Sequence, residues 1–279
     1  MSATALHRRR ESRPQMLPLF FKALIDARAS MLIWAVAMLA VMGLYLPLYP
    51  SIGGSEQMKQ MIQSLPPELV DALNYGQITS GPGYTQATVF GLIGFLLMTI
   101  MAVGAGAAAI GGDEESGLLE LTLAHGVTRS QVVLERAGAL VVRILVLHLF
   151  ILAVLLVLKG PAELGIDAGH AAAGVLMFAL LVFLNGSFAL LGGAIGGRRI
   201  HGIGVGAVVA VLGYAFNAIG NQNAQLEWLH GLSPYYWAYG QSPLVGGVDV
   251  PAALLLAGVG LACTGFAVLA LNRRDIRGA

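Results

Sequence analysis

Six stretches of about 20 residues or more carry few or no charges, and they decide what this chain can become: Ser30–Tyr49, Gln86–Gly111, Ala137–Leu158, Ala171–Gly196, His201–Asn221 and Pro251–Leu271. At a helical rise of about 1.5 Å per residue each reaches about 30 Å, the thickness of a bilayer's hydrocarbon core. Inside hydrocarbon only helices and closed barrels satisfy every backbone N–H and C=O, and unbroken apolar runs select helices. The expected fold is therefore an all-α integral membrane protein with six transmembrane helices. Composition agrees: 57% of the 279 residues are hydrophobic and 11% charged, against about 25% charged in soluble domains. The single cysteine, Cys263, lies inside a span and excludes an intramolecular disulfide.

Orientation follows from the arginines and lysines. Fourteen of the 16 stand in the N-terminal arm, the 112–136 connection, the Gly197–Ile200 turn, the C-terminal tail, or at Arg143 near the first end of the third span. Only Lys59 and Lys159 fall on the other side. The positive-inside rule then puts both termini and the 112–136 segment in the cytoplasm. The expected compartment is the cytoplasmic membrane of a prokaryote.

In domain terms, residues 1–29 form a cytoplasmic arm and helix, 30–271 the membrane body, and 272–279 a cytoplasmic tail. The arm carries Arg8, Arg9, Arg10 and Arg13, and Pro18 suits a first helical position. Leu17, Phe20, Phe21 and Leu24 share one face, with Lys22, Asp26 and Arg28 off it. This reads as a separate amphipathic helix lying in the interface; the alternative is that it extends the first span. No small-residue cleavage site follows, which excludes a cleaved signal. Outside, the 50–85 loop is expected to hold helical segments. Met58, Met61, Ile62 and Leu65 recur at helical spacing, Ser55 is placed to cap, and Pro66-Pro67 ends that helix and starts another. The 222–250 loop carries Trp228, Tyr235, Tyr236 and Trp237, either an aromatic belt or an extracellular lid over a transport path.

The segment Asp113–Arg136 stands apart, a strongly polar stretch between two spans that a short turn would connect. It reads as two helical pieces. The first runs from about Asp113 to Ala124, with its acids at the positive end of the helix dipole. Gly126 breaks it, and Thr128-Arg129-Ser130-Gln131 forms a capping box that starts the second. An apolar face of Leu118, Leu119, Leu121 and Leu123 must bury against this chain, the membrane surface or a partner.

Asp113-Glu114-Glu115-Ser116-Gly117-Leu118-Leu119-Glu120-Leu121, followed by Gly126-Val127-Thr128-Arg129, resembles the coupling segment of type-2 permeases of ATP-binding-cassette (ABC) exporters. Leu232-Ser233-Pro234-Tyr235 before the last span and Arg273-Arg274-Asp275 after it agree. Gly126 departs from the proline of many relatives. The resemblance implies a six-span half-transporter of the type V exporter fold. It would act with a second permease copy or a homologous permease, and with two copies of an ABC ATPase subunit. It implies contact with the ATPase through Glu114, Glu115, Leu118, Glu120, Leu121, Thr128 and Arg129, and ATP and Mg held in that partner. Independently, none of Lys22, Lys59 and Lys159 is followed by Ser or Thr, so the chain has no recognisable phosphate-binding loop. It is expected not to be an enzyme, to bind no nucleic acid, and to hold no metal, since its histidines include no i,i+4 pair.

Within the spans, Asn185, Asn217 and His148 either line a translocation path or hold helices together, at about 0.6 kcal/mol per bond. Arg143 either snorkels or pairs with Glu135 or Asp275. Gly192–Gly196, Gly193–Gly197 and Gly202–Gly206 have the spacing of close helix packing, within or between chains. Two other functional classes fit the sequence less well. An ATP-independent carrier or channel would place acids in the bundle, and the spans hold no Asp or Glu. An intramembrane serine protease would need Gly-x-Ser-Gly, and Ser80-Gly81 and Ser116-Gly117 lack the preceding glycine. Membrane lipid and a hydrophobic or amphipathic small molecule fit the apolar spans.

Overall fold

The computed structural model describes residues 17–53, 55–66, 70 and 78–275. Among these there is no strand, and six helices are long and apolar enough to cross a membrane. We number the helices α1 Pro18–Tyr45, α2 Glu56–Gln63, α3 Gly81–Glu115, α4 Leu118–Ala124, α5 Arg129–Leu158, α6 Ala168–Gly196, α7 Arg199–Gly220, α8 Pro234–Tyr239 and α9 Val250–Arg273. The spans are α1, α3, α5, α6, α7 and α9, one for each apolar stretch. The arm 1–16 and most of the second outer-loop helix expected after Pro66-Pro67 lie outside the described residues.

One expectation is corrected at the start. The amphipathic stretch is not a separate helix, because α1 runs without a break from Pro18 to Tyr45 and a 3-10 turn extends it to Leu48. Between Pro18 and Gly43 no glycine or proline interrupts the hydrogen-bond ladder, so the polar residues Lys22, Asp26 and Arg28 ride on the first turns of a span.

α6 is the axis of the bundle and packs against α3, α5, α7 and α9. Asp167 caps its start, accepting from the backbone N–H of Gly169 at 2.7 Å and of His170 at 3.0 Å. The His170 N–H, the largest influence, holds the Asp167 carboxyl below the usual carboxylate range. Phe178, Leu184, Asn185 and Leu190 are buried on different sides of α6. Large side chains cannot surround a helix on every side at close range, so its neighbours approach on small residues. A Cβ on Gly106 of α3 would lie 2.2 Å from the Gly186 carbonyl oxygen of α6. A Cβ on Gly202 of α7 would lie 2.6 Å from the Ala189 oxygen and 2.7 Å from Ala107 Cα. The glycine spacing seen in the sequence thus serves packing within the chain.

The main core gathers Met38 and Met42 of α1, Phe90 and Met98 of α3, Ile144 of α5 and Phe178 of α6. A second cluster lies at the arginine-rich end and joins Ile110, Leu119, Val132, Val133, Leu190 and Leu271. The outward faces stay apolar: Ile33 on α1, Leu96 on α3, Val211 on α7 and Leu254 on α9 are each half or more exposed. Hydrocarbon covers such a surface without cost, whereas a soluble monomer rarely exposes contiguous patches of this kind.

The close approach at Gly202 carries a prediction. Gly202→Ala should destabilise the bundle by about 1–3 kcal/mol through overpacking against backbone. Gly204→Ala on the same helix meets nothing within 4 Å and should be neutral or gain up to about 1 kcal/mol of helix propensity. Thermal unfolding of both variants in detergent would separate the two effects.

Candidate functional site

The polar segment begins where α3 ends. The acids do not open a new helix, which corrects the dipole reading. α3 carries on through Gly111 and Gly112, widening there to π-type hydrogen bonding, and its last turn is Asp113-Glu114-Glu115. The break falls at Ser116-Gly117, where Gly117 adopts φ +73°. Three acids at a helix C-terminus face the negative end of the dipole. Arginines from elsewhere offset this. Arg136 of α5 pairs with Asp113, and Arg274 after α9 pairs with Glu114. Arg198, between α6 and α7, stands 3.5 Å from Glu115, and the Arg199 N–H donates to the same carboxylate at 3.2 Å. The Glu114 side chain is only 9% exposed. Gly197, at φ +65°, lies on this pair, and a Cβ there would sit 2.1 Å from the Arg274 Nη1.

α4 is the helix between the two breaks. Its apolar face divides. Leu119 is 1% exposed among Val132, Val133 and Leu271, and Leu123 packs behind it. Leu118, Glu120 and Leu121 turn outward, with 46% exposure at Leu118 and 60% at Leu121. Gly126, at φ +83°, makes the second break. Thr128 then caps α5 as its sequence position implied, accepting from the Gln131 N–H at 3.2 Å. The box is half made, because the Gln131 amide donates to Glu135 Oε1 at 2.7 Å instead of reaching back.

Glu135 is buried at 4% exposure. Its Oε2 accepts from the backbone N–H groups of Leu19 at 2.8 Å and Phe20 at 2.9 Å, so α5 caps the start of α1. This explains how α1 begins, since Leu17 before it supplies no side-chain cap. Neither Glu135 nor Asp275 pairs with Arg143, whose Nε is buried without a partner. Arg129 acts at the opposite kind of helix end. It donates to the carbonyls of Leu271 at 2.9 Å and Arg274 at 2.6 Å, closing α9. Asn272 Nδ2 adds a bond to Ser130 Oγ at 3.0 Å.

A family-level sequence profile described as ABC-2 family transporter protein matches residues 17–276. The chain belongs to the ABC-2 transporter family. No curated protein and no solved structure matches it. The family makes this chain a multi-pass permease component of an ABC transporter, one that pairs with an ABC ATPase subunit.

In this ABC-2 permease, seven residues were expected to meet the ATPase. Leu118, Glu120, Leu121 and Thr128 are exposed, whereas Glu114 and Arg129 are engaged inside the chain and Glu115 is partly so. Sequence reasoning missed the partners Arg136, Arg198 and Arg274. Its only trace of them was that arginines and acids crowd the same end.

The path residues separate as well. Asn185 is fully buried and donates to Thr99 Oγ1 of α3 at 3.3 Å. His148 is 2% exposed, donates from Nδ1 to the Ile144 carbonyl at 2.8 Å, and meets the Phe178 ring edge-on at 4.8 Å. Both lie in helix contacts within the chain, Asn185 between α6 and α3 and His148 between α5 and α6; Asn217 is half-buried on α7.

At the other end of the permease, Tyr235 is buried in the bundle rather than displayed on its surface. It is 8% exposed and donates to the Gly91 carbonyl at 2.7 Å, while Tyr239 donates to the Phe90 carbonyl at 3.3 Å. These oxygens belong to a π-type stretch of α3, Gln86–Ile93. Tyr236 stacks on His230 at 3.8 Å, Trp237 packs on the core, and Trp228 is 64% exposed.

A double-mutant cycle tests the Glu114–Arg274 pair. Glu114→Ala and Arg274→Ala should each lower stability by about 2 kcal/mol, as for a charged hydrogen bond with little solvent. The double variant should lose clearly less than the sum. Unfolding in detergent would read all three.

Proposed function

We propose that the chain is one half of an exporter. Two six-span units, this chain with itself or with a homologous permease, form the translocation path. Two cytoplasmic ATPase subunits drive it, and they hold the ATP and Mg. Hydrolysis takes place in the partner. The reading is supported by family membership and by one geometric observation: α4 is anchored on one side by Leu119 and offers Leu118, Glu120 and Leu121 on the other. A short helix with a buried keel and an exposed apolar and acidic edge suits a groove with basic walls. Desolvated charge pairs in such a groove give orientation as well as affinity. Thr128 borders the same surface.

The arginine bias assigns this end to the cytoplasm. Export of a hydrophobic or amphipathic small molecule fits the six apolar stretches, Ser30–Tyr49 to Pro251–Leu271, which contain no acid. The same absence weighs against an ATP-independent carrier coupled to an ion gradient. Trp228 and Tyr236 then belong to the outer face.

Orientation can be checked by labelling intact cells in a Cys263→Ala background. Single cysteines at positions 59 and 225 should react with an impermeant maleimide, and one at position 120 should not. Labelling at position 120 would place α4 outside and end the coupling reading. Docking can be checked by co-purification. Leu118→Asp should reduce recovery of the ATPase subunit about tenfold, equivalent to about 1.4 kcal/mol. Glu120→Lys should keep the complex but lower export per ATP hydrolysed. Wild-type capture and export by both variants would refute the docking role.

A further inference from the structure

Three spans meet the first two turns of α5, and each does so through a different residue. Arg129 Nη1 holds carbonyls at the end of α9, Leu271 in its last turn at 2.9 Å and Arg274 just after it at 2.6 Å. Glu135 Oε2 holds the first N–H groups of α1, Leu19 at 2.8 Å and Phe20 at 2.9 Å. Arg136 holds Asp113 on the last turn of α3. Gln131 ties the set together by donating to Glu135 Oε1 at 2.7 Å. All four side chains lie within Arg129–Arg136, directly after the break that follows α4.

We infer that this eight-residue stretch is the transmission hub of the permease, and that Glu135 and Arg129 are positioning residues that make the ends of the first and last spans move with α4. The inference rests on the reading of α4 as the ATPase contact and adds which helices receive the motion. The physical argument is one of stiffness. Leu119 of α4 packs on Val132 and Val133, which belong to the hub itself, so a displacement of α4 reaches α5 through buried contacts. Two backbone donors on one carboxylate, and two carbonyls on one guanidinium, fix direction as well as distance because both partners are rigid helix ends. Glu135 is 4% exposed, so water does not compete for its bonds. The start of α7 is joined differently. Its tie is Arg198 to Glu115 at 3.5 Å, with side chains 65% and 43% exposed, together with one backbone bond. Exposed pairs of this kind transmit little. The ends of α1, α5, α9 and α3 are therefore driven through the hub, whereas the start of α7 is joined to it only by that exposed pair, one backbone bond and packing.

Hydrogen–deuterium exchange on the full permease in nanodiscs tests the linkage. Arg129 makes no hydrogen bond or ion pair with α1 among the described residues, its bonds going to Leu271, Asn272 and Arg274, so a local role for it would leave the hydrogen bonds of α1 unchanged. Linkage requires that Arg129→Ala speed exchange in residues 17–28 as well as 268–275, and that Glu135→Ala speed both in turn. Glu135→Gln keeps an acceptor for Leu19 and Phe20 and should restore most of the protection. Local effects confined to each residue's own partner would overturn the inference. A second arm adds the ATPase subunit that co-purifies from native membranes, trapped with ATP and vanadate. The wild type should change exchange in 118–124 and in 17–28 together. Glu135→Ala should keep the first change and lose the second. An unaltered response of 17–28 in that variant would refute the hub while leaving the docking role of α4 intact. No response of 118–124 in the wild type would refute the docking reading itself, and the first arm alone would still decide whether the helix ends are linked.

Discussion

Backbone groups that the helices leave open are answered by side chains from other helices, and the rest of the structure depends on this. A helix in hydrocarbon satisfies its interior but not its ends, and water is not at hand to finish the work. Here the carboxylate of Glu135 finishes the start of α1, the guanidinium of Arg129 finishes the end of α9, and two tyrosine hydroxyls finish the irregular start of α3. Each bond joins elements far apart in the chain, so closing a helix end and fixing the tertiary arrangement become one event.

The same logic explains a polar segment beside a bilayer that is neither loose nor fully exposed. Its first three acids, Asp113, Glu114 and Glu115, belong to the end of a span and are neutralised by arginines of three neighbouring helix ends. Only α4 projects from this arrangement, and only one edge of it. Contact with a partner is thereby confined to a few residues, backed by a framework that packing and charge hold in place.

Much of this was legible in the residues. Length and apolarity located all six spans, the breaks at Gly126 and the cap at Thr128 followed from local chemistry, and the arginine distribution gathered the charged groups at one end. Local pattern did not reveal partners. Nothing near Glu135 tells that its carboxylate meets Leu19 and Phe20, because that bond spans 116 residues. Tyr235 looked like an interfacial aromatic because tyrosines suit that position, while its actual partners, the Gly91 carbonyl in a π-type stretch of α3 and the rings of Phe95 and Tyr214, are distant in sequence or set by a widening that no periodicity displays. The continuity of α1 was misjudged for a different reason. Amphipathic spacing says which face is apolar, but only a breaker says where a helix stops, and none stands between Pro18 and Gly43.

The glycine contacts around α6 also bear on how such a chain can drift over time. Where backbone meets backbone, as at Gly106 with Gly186 and at Gly202 with Ala107, no larger side chain fits and no neighbour has a rotamer with which to yield. On the outward faces of α1 and α9, lipid accepts any apolar side chain of any shape. Substitutions should therefore be tolerated on the outside and opposed at the axis. Two descendants of this fold can come to share few identical residues and still superimpose, with their likeness reduced to a sparse lattice of glycines and the charged residues that close the helix ends.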